Sequence, residues 1–130
     1  MGLSQVARDD WQGLLAVAQE SLASGDPVTA RRATILASRA APDTAEAQRA
    51  LGDAWSALGR YVEAVRAYRL AVEADPRSAD ALGGLIHVLH ETGRDAEALP
   101  YCQRAVEMAP EDAQLWGHLG DVLMSLDRYD

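Results

Sequence analysis

The sequence predicts an all-α fold of stacked helical hairpins. Two observations carry that expectation: a 34-residue period that returns small and helix-breaking residues to fixed columns, and apolar stripes at spacings of three and four inside each period. Gly59 to Pro76 read GRYVEAVRAYRLAVEADP, and Gly93 to Pro110 read GRDAEALPYCQRAVEMAP, nearly the same phrase displaced by 34. Gly25, Gly59 and Gly93 share one column, Ala30, Ala64 and Ala98 a second, Ala37, Ala71 and Ala105 a third, and Pro42, Pro76 and Pro110 a fourth.

Each element follows from these columns. Upstream of each Gly, Leu14/Val17/Ala18, Leu51/Gly52/Trp55, Leu82/Leu85/Ile86/Leu89 and Trp116/Leu119/Gly120/Leu123 form one apolar stripe of an amphipathic helix. The Gly closes that helix with a left-handed or open backbone. In the first unit Asp26 is placed to cap the second helix and Pro27 to occupy its first turn. The stripe of that second helix is clearest in Val65, Tyr68, Ala71 and Val72, and the Pro five residues after the shared Ala ends it. Small residues at Ala64 and Ala71 let the two helices approach, so a bulky replacement there should cost about 1–3 kcal/mol. Pro100, near the start of one second helix, removes one hydrogen bond and is expected to kink the helix slightly.

Composition bounds the function. With 48% hydrophobic and 25% charged residues the 130-residue chain can bury a core, and its apolar runs fall far short of the roughly 20 residues that cross a bilayer. Twelve basic residues against twenty acidic ones give a formal charge of −8, which repels phosphate backbones and anionic lipid. Neither nucleic-acid binding nor membrane insertion is expected, and a neutral or basic protein partner is. All the basic residues are Arg, with no Lys, Asn or Phe, which reads as a GC-rich genome. One cysteine, Cys102, and no exported leader point to a reducing, cytoplasmic setting.

Trp116-x-x-Leu119-Gly120-x-x-Leu123, the Ala columns and the terminal Pro resemble the tetratricopeptide repeat family, in its bacterial form, whose period is 34. The resemblance implies an all-α right-handed α-α superhelix of helix-turn-helix hairpins, three full repeats plus one extra helix. The units are placed at 11–44, 45–78, 79–112 and 113–130, after an N-terminal extension at 1–10 that is compatible with a helix. Gln48, Ser21 and Ile86 depart from the apolar, large and small residues of their columns and are expected to weaken individual contacts.

The resemblance also implies a concave groove lined by the first helices. Its matching positions are Gln12, Leu15 and Gln19; Arg49, Asp53 and Ser56; Gly83, His87 and His90; and Gly117, Asp121 and Met124. Gly83 and Gly117 either leave room on the groove floor or serve helix packing; Gly83 and Gly84 each cost a helix about 1 kcal/mol against Ala. The clamp of Lys, Asn and Arg by which some family members hold a carboxylate tail is not expected in a chain without Lys or Asn, although Arg49 alone remains free to hold an acidic group. Leu15 and Leu22 at one end with Asp53 and Asp121 farther along suit a segment with one apolar face and a few basic residues.

No nucleophile, base and orienting group come together in a motif, so no catalytic residue and no cofactor are assigned. Cys102 shares the column of Thr34 and Tyr68 and reads as a buried structural thiol. His87, His90 and Glu91 share one helix face, but such spacing arises on any helix, and no metal site is assigned. LGGL at Leu82–Leu85 lacks the spacing of a phosphate loop.

The last phrase, GHLGDVLMSLDRYD, stops where a second helix is due, so the chain reads as a piece cut from a longer protein. Trp116, Leu119, Val122, Leu123 and Leu126 are expected to form an exposed stripe that favours self-association. The expected function is a non-catalytic scaffold or adaptor that binds a peptide or helix in its groove. Two alternatives stand beside it: the N-terminal recognition arm of a larger enzyme of glycosyltransferase or sulfotransferase type, and a self-assembling structural repeat.

Overall fold

The computed structural model describes residues 2–129. A 3-10 turn at Leu3–Gln5 is followed by seven helices: α1 (Trp11–Ala23), α2 (Pro27–Ala40), α3 (Ala45–Ala57), α4 (Tyr61–Ala74), α5 (Ala79–Glu91), α6 (Asp95–Met108) and α7 (Ala113–Tyr129). Among the described residues there are no strands. Helices α1 and α2, α3 and α4, and α5 and α6 pack as hairpins, each hairpin stacks on the next, and α7 packs on α6. Among the described residues no helix is long and apolar enough to cross a membrane.

Local chemistry sets the helix ends. Gly25, Gly59 and Gly93 have φ of +85°, +73° and +73°, a backbone that costs other residues strain. That turn lets the amides of Asp26, Arg60 and Arg94 donate to the carbonyls of Ser21, Trp55 and Leu89 at 2.8, 2.9 and 2.7 Å, closing the first helices. Asp26 caps α2 by accepting from the Thr29 amide at 3.1 Å, with Pro27 in the first turn, as its sequence implies. Asp10, Thr44 and Ser78 cap α1, α3 and α5 in the same way. Helix α6 runs unbroken through Pro100.

The shared alanines lie where hairpin helices touch: Ala64, Ala71, Ala98 and Ala105 are fully buried. Val65, Tyr68 and Val72 pack into the same core as Leu82, Leu85, Ile86 and Leu89. Leu3 and Val6 lie against a smaller cluster of Val17, Ala18 and Ala33 at the N-terminal end. Because each hairpin buries its apolar stripe against its neighbours, stability is distributed along the stack.

Two expectations need correction. Gln48 is not a weakened contact: it is buried, and its Nε2 donates to the Pro42 carbonyl at 3.1 Å. Trp116, in the same column, donates its indole Nε1 to the Pro110 carbonyl at 2.7 Å. Gln48 thus keeps the polar contact made by the Trp while losing the ring. Val122 does not belong to the exposed stripe of α7; it is buried, whereas Trp116 and Leu123 are exposed.

Candidate concave interface

The first helices α1, α3, α5 and α7 present a run of open cavities. Between α1 and α3 lies one of about 300 Å³, where Gln12, Leu15 and Gln19 face Arg49 and Asp53 beside Trp11, Ala16, Glu46, Ala50 and Ala54. Between α3, α5 and α7 lies a larger one of about 550 Å³, bordered by Arg49, Asp53, Asp80, Gly83, Gly84, His87, Asp112, Gln114, Leu115 and His118. Two smaller ones continue it: His87, His90, Glu91, His118 and Asp121 surround about 280 Å³, and His90, Asp121, Met124 and Ser125 about 180 Å³. Ten of the twelve residues expected from sequence therefore line these cavities; Ser56 and Gly117 do not.

The cavity lining includes residues that sequence reasoning passed over, and the period itself could have found part of them. Glu46, Asp80 and Gln114 continue the column of Gln12, and Ala50, Gly84 and His118 continue that of Ala16. Extending the Gln12 column by 34 residues names Glu46, Asp80 and Gln114, whereas Ala16 heads a column that holds none of the expected groove residues.

The centre of the surface is held by Asp53. Arg49 Nη1 donates to its Oδ2 at 2.9 Å, one helical turn apart, and the Tyr68 hydroxyl donates to its Oδ1. Arg49 is therefore not free to hold an acidic group, because its charge is already matched. The Tyr68 ring lies between two helices that have no side chain there: a Cβ on Gly52 would sit 2.6 Å from it and one on Gly84 2.4 Å. Burial, then the Asp53 carboxylate, push the Tyr68 hydroxyl pKa far above the ordinary phenol range. Gly84 is thus a packing residue, whereas a Cβ on Gly83 would meet only Leu115 at 3.9 Å.

The chain's three histidines gather between α5 and α7. His90 Nδ1 lies 2.6 Å from Asp95 Oδ1, and that hydrogen bond raises its pKa. His118 is partly buried with its Nδ1 unpartnered, and burial, then the nearby His87, lower its pKa. Among the described residues no three His, Cys, Asp or Glu side chains are placed to hold a metal ion. Cys102 is fully buried, and burial pushes its thiol up to about 11.

The sequence matches the tetratricopeptide repeat family over residues 15–79 and 57–113. The chain belongs to that family. Its fold is shared with solved members. A crystal structure of MamA aligns with a TM-score of 0.75 at 19% identity, over 92% of this chain and 65% of that one. The first tetratricopeptide domain of Spaghetti (RPAP3), solved with an HSP90 peptide SRMEEVD, aligns with a TM-score of 0.75 at 16% identity, over 94% and 97%. A Thermobaculum terrenum O-GlcNAc transferase mutant aligns with a TM-score of 0.65 at 30% identity, over 92% of this chain and 23% of the enzyme. No curated protein matches this chain in sequence.

Proposed function

We propose that this chain is a non-catalytic protein-binding module whose concave face takes a basic segment, helical or extended, with one apolar side. On this reading the repeats run over 11–44, 45–78 and 79–112, and α7 opens a fourth unit after the extension at 1–10. One observation carries the proposal. The concave cavities are bordered by six carboxylates, Glu46, Asp53, Asp80, Glu91, Asp112 and Asp121, and by one arginine, Arg49, that Asp53 already pairs. Such a surface attracts cations over several ångströms and rejects acidic tails.

The apolar side of the partner fits the other end. Trp11, Leu15, Ala50 and Ala54 border the cavity between α1 and α3, so a bound segment would set apolar residues there and basic ones over α5 and α7. A preformed helical scaffold loses little conformational entropy on binding. The Spaghetti (RPAP3) domain is bound to an HSP90 peptide, SRMEEVD, whose net charge is acidic. The charge of the present groove points to the opposite class of ligand.

The test is direct binding of two synthetic amphipathic peptides with one apolar pattern, one carrying four Lys and the other four Glu. The Lys peptide should bind, weaken as NaCl rises from 50 to 500 mM, and lose affinity when Asp80→Arg and Asp121→Arg are combined. Equal binding of both peptides, or an unaffected variant, would remove the groove from consideration.

A second reading rests on the 30% identity to the O-GlcNAc transferase, whose aligned portion is 23% of that enzyme. Here the module is the recognition arm of a larger glycosyl-transferring protein, and the same groove selects its protein substrate. A catalytic domain encoded in the same open reading frame would decide for it.

A further inference from the structure

We propose that protons compete with the bound segment for the groove: the histidines of α5 and α7 make it release a cationic partner as the pH falls below neutral. This rests on the reading of the groove given above and adds its regulation. All three histidines of the chain stand at one place. His87, His90 and His118 border one cavity with Glu91 and Asp121, and His87 and His118 also border the larger one with Asp80 and Asp112. The basic residues that the reading sets over α5 and α7 would lie over this cluster.

The repeat shows what His87 replaces. Its counterparts 34 residues before and after are Asp53 in α3 and Asp121 in α7. Two members of that column are carboxylates, which stay charged across the physiological range, whereas the one between them gains a positive charge on acidification. A column of fixed negative charge thus carries a titratable group at its centre.

Every element around the cluster bears charge. Helix α3 brings Asp53 and the Arg49 that it pairs, and α5 brings Asp80 and Glu91. Helix α6 brings Asp95, bonded to His90, and Asp112 and Asp121 stand before and within α7. With the imidazoles neutral, the carboxylates dominate and attract a cation. With the three imidazoles protonated, their charge offsets most of that of Asp80, Glu91, Asp112 and Asp121, and the attraction is lost. The hydrogen bond from Asp95 favours the charged form of His90, whereas burial, with Nδ1 unpartnered, and then His87 disfavour that of His118. His90 therefore charges at higher pH than His118, which spreads the response over a range of pH. Linkage makes the effect reciprocal: a cation seated beside the cluster lowers its affinity for protons, so binding in mild acid expels them.

The test titrates the 130-residue protein with the Lys peptide described above, acetylated and amidated so that nothing in it ionises between pH 5.5 and 8, in a calorimeter at fixed ionic strength. Affinity should fall at least about fivefold from pH 8 to pH 5.5. At pH 6 the heat of binding should depend on the ionisation enthalpy of the buffer in the sense of proton release. A protein carrying His87→Gln, His90→Gln and His118→Gln together should lose both the release and the fall. Circular dichroism at each pH checks that both proteins are folded, and proton release by the parent is measured without any variant. A peptide that binds at pH 8 and weakens with salt, yet shows neither the fall nor the release, overturns this inference and leaves the preference of the groove for cations standing. A fall that the triple variant retains overturns it too, since the protons would then bind elsewhere. A peptide that does not bind at pH 8 removes the preference for cations and this inference with it.

Discussion

The ring of Tyr68 occupies the place of a side chain on Gly84: a Cβ built there would lie 2.4 Å from Cε1. Tyr68 stands in α4 and Gly84 in α5, so the ring joins one hairpin to the next. The same ring fills the Cβ position of Gly52 in α3. One aromatic residue thus sets the spacing of three helices, and its hydroxyl reaches Asp53 in the lining of the cavities between the first helices.

Alanine substitution should separate the two kinds of helical glycine. In a helix, Gly→Ala gains about 1 kcal/mol in propensity. At Gly117, where nothing lies within 4 Å of the added carbon, that gain should appear. At Gly84 and Gly52 the added carbon meets a buried ring, and overpacking of about 1–3 kcal/mol should win. Urea unfolding of the three variants checks this. A Gly84→Ala protein as stable as Gly117→Ala would mean that the ring can move aside cheaply.

How much of this was legible in the sequence depends on range. The helices follow from local pattern: the Gly that turns, the Asp26 and Pro27 that start α2, and stripes such as Val65, Tyr68, Ala71 and Val72 that are buried as one face. The Tyr68–Asp53 hydrogen bond joins residues fifteen apart on antiparallel helices, and no periodicity announces it. The Arg49–Asp53 pair has the helical i,i+4 spacing and is readable from sequence, and it is this pairing that occupies Arg49. Gln48 was misjudged because apolar periodicity scores a side chain by hydrophobicity alone, while its role is to donate to Pro42.

His118 and His90 should pull stability in opposite directions as pH falls. His118 has a folded pKa below its ordinary 6.5, so the neutral form is favoured and stability is lost as pH drops from about 6.5 through the folded value. His90 has a folded pKa above 6.5, so its contribution is fully present below 6.5 and is lost as pH rises through the folded value. Melting temperatures between pH 5 and 8 should fall less steeply toward acid in His118→Gln than in the parent. They should fall more steeply in His90→Gln. Parallel curves for all three proteins would contradict both assignments.

Cys102 should be inert in the native protein. It is fully buried and its thiol is pushed up to about 11, so at pH 8 little thiolate exists and no reagent reaches it. A dithiobis-nitrobenzoate assay should report no fast-reacting thiol in native buffer and one thiol per chain in denaturant. Prompt reaction without denaturant would mean that α6 opens readily.

Tyr68→Phe isolates the hydroxyl from the ring. The variant keeps the packing against Gly52 and Gly84 and loses only the donation to Asp53, so near neutral pH it should be less stable by about 1 kcal/mol. The comparison changes at high pH. Because the folded protein holds the Tyr68 hydroxyl pKa far above its ordinary 10.0, the unfolded chain ionises first, and stability is lost as pH rises through 10. The Phe variant lacks that proton and that loss, so the gap between the two proteins should narrow, and then reverse, in urea titrations at pH 9, 10 and 11. A constant gap across that range would show that the hydroxyl ionises as freely in the folded protein as in the unfolded one, which a donor held between Asp53 and a buried ring cannot do.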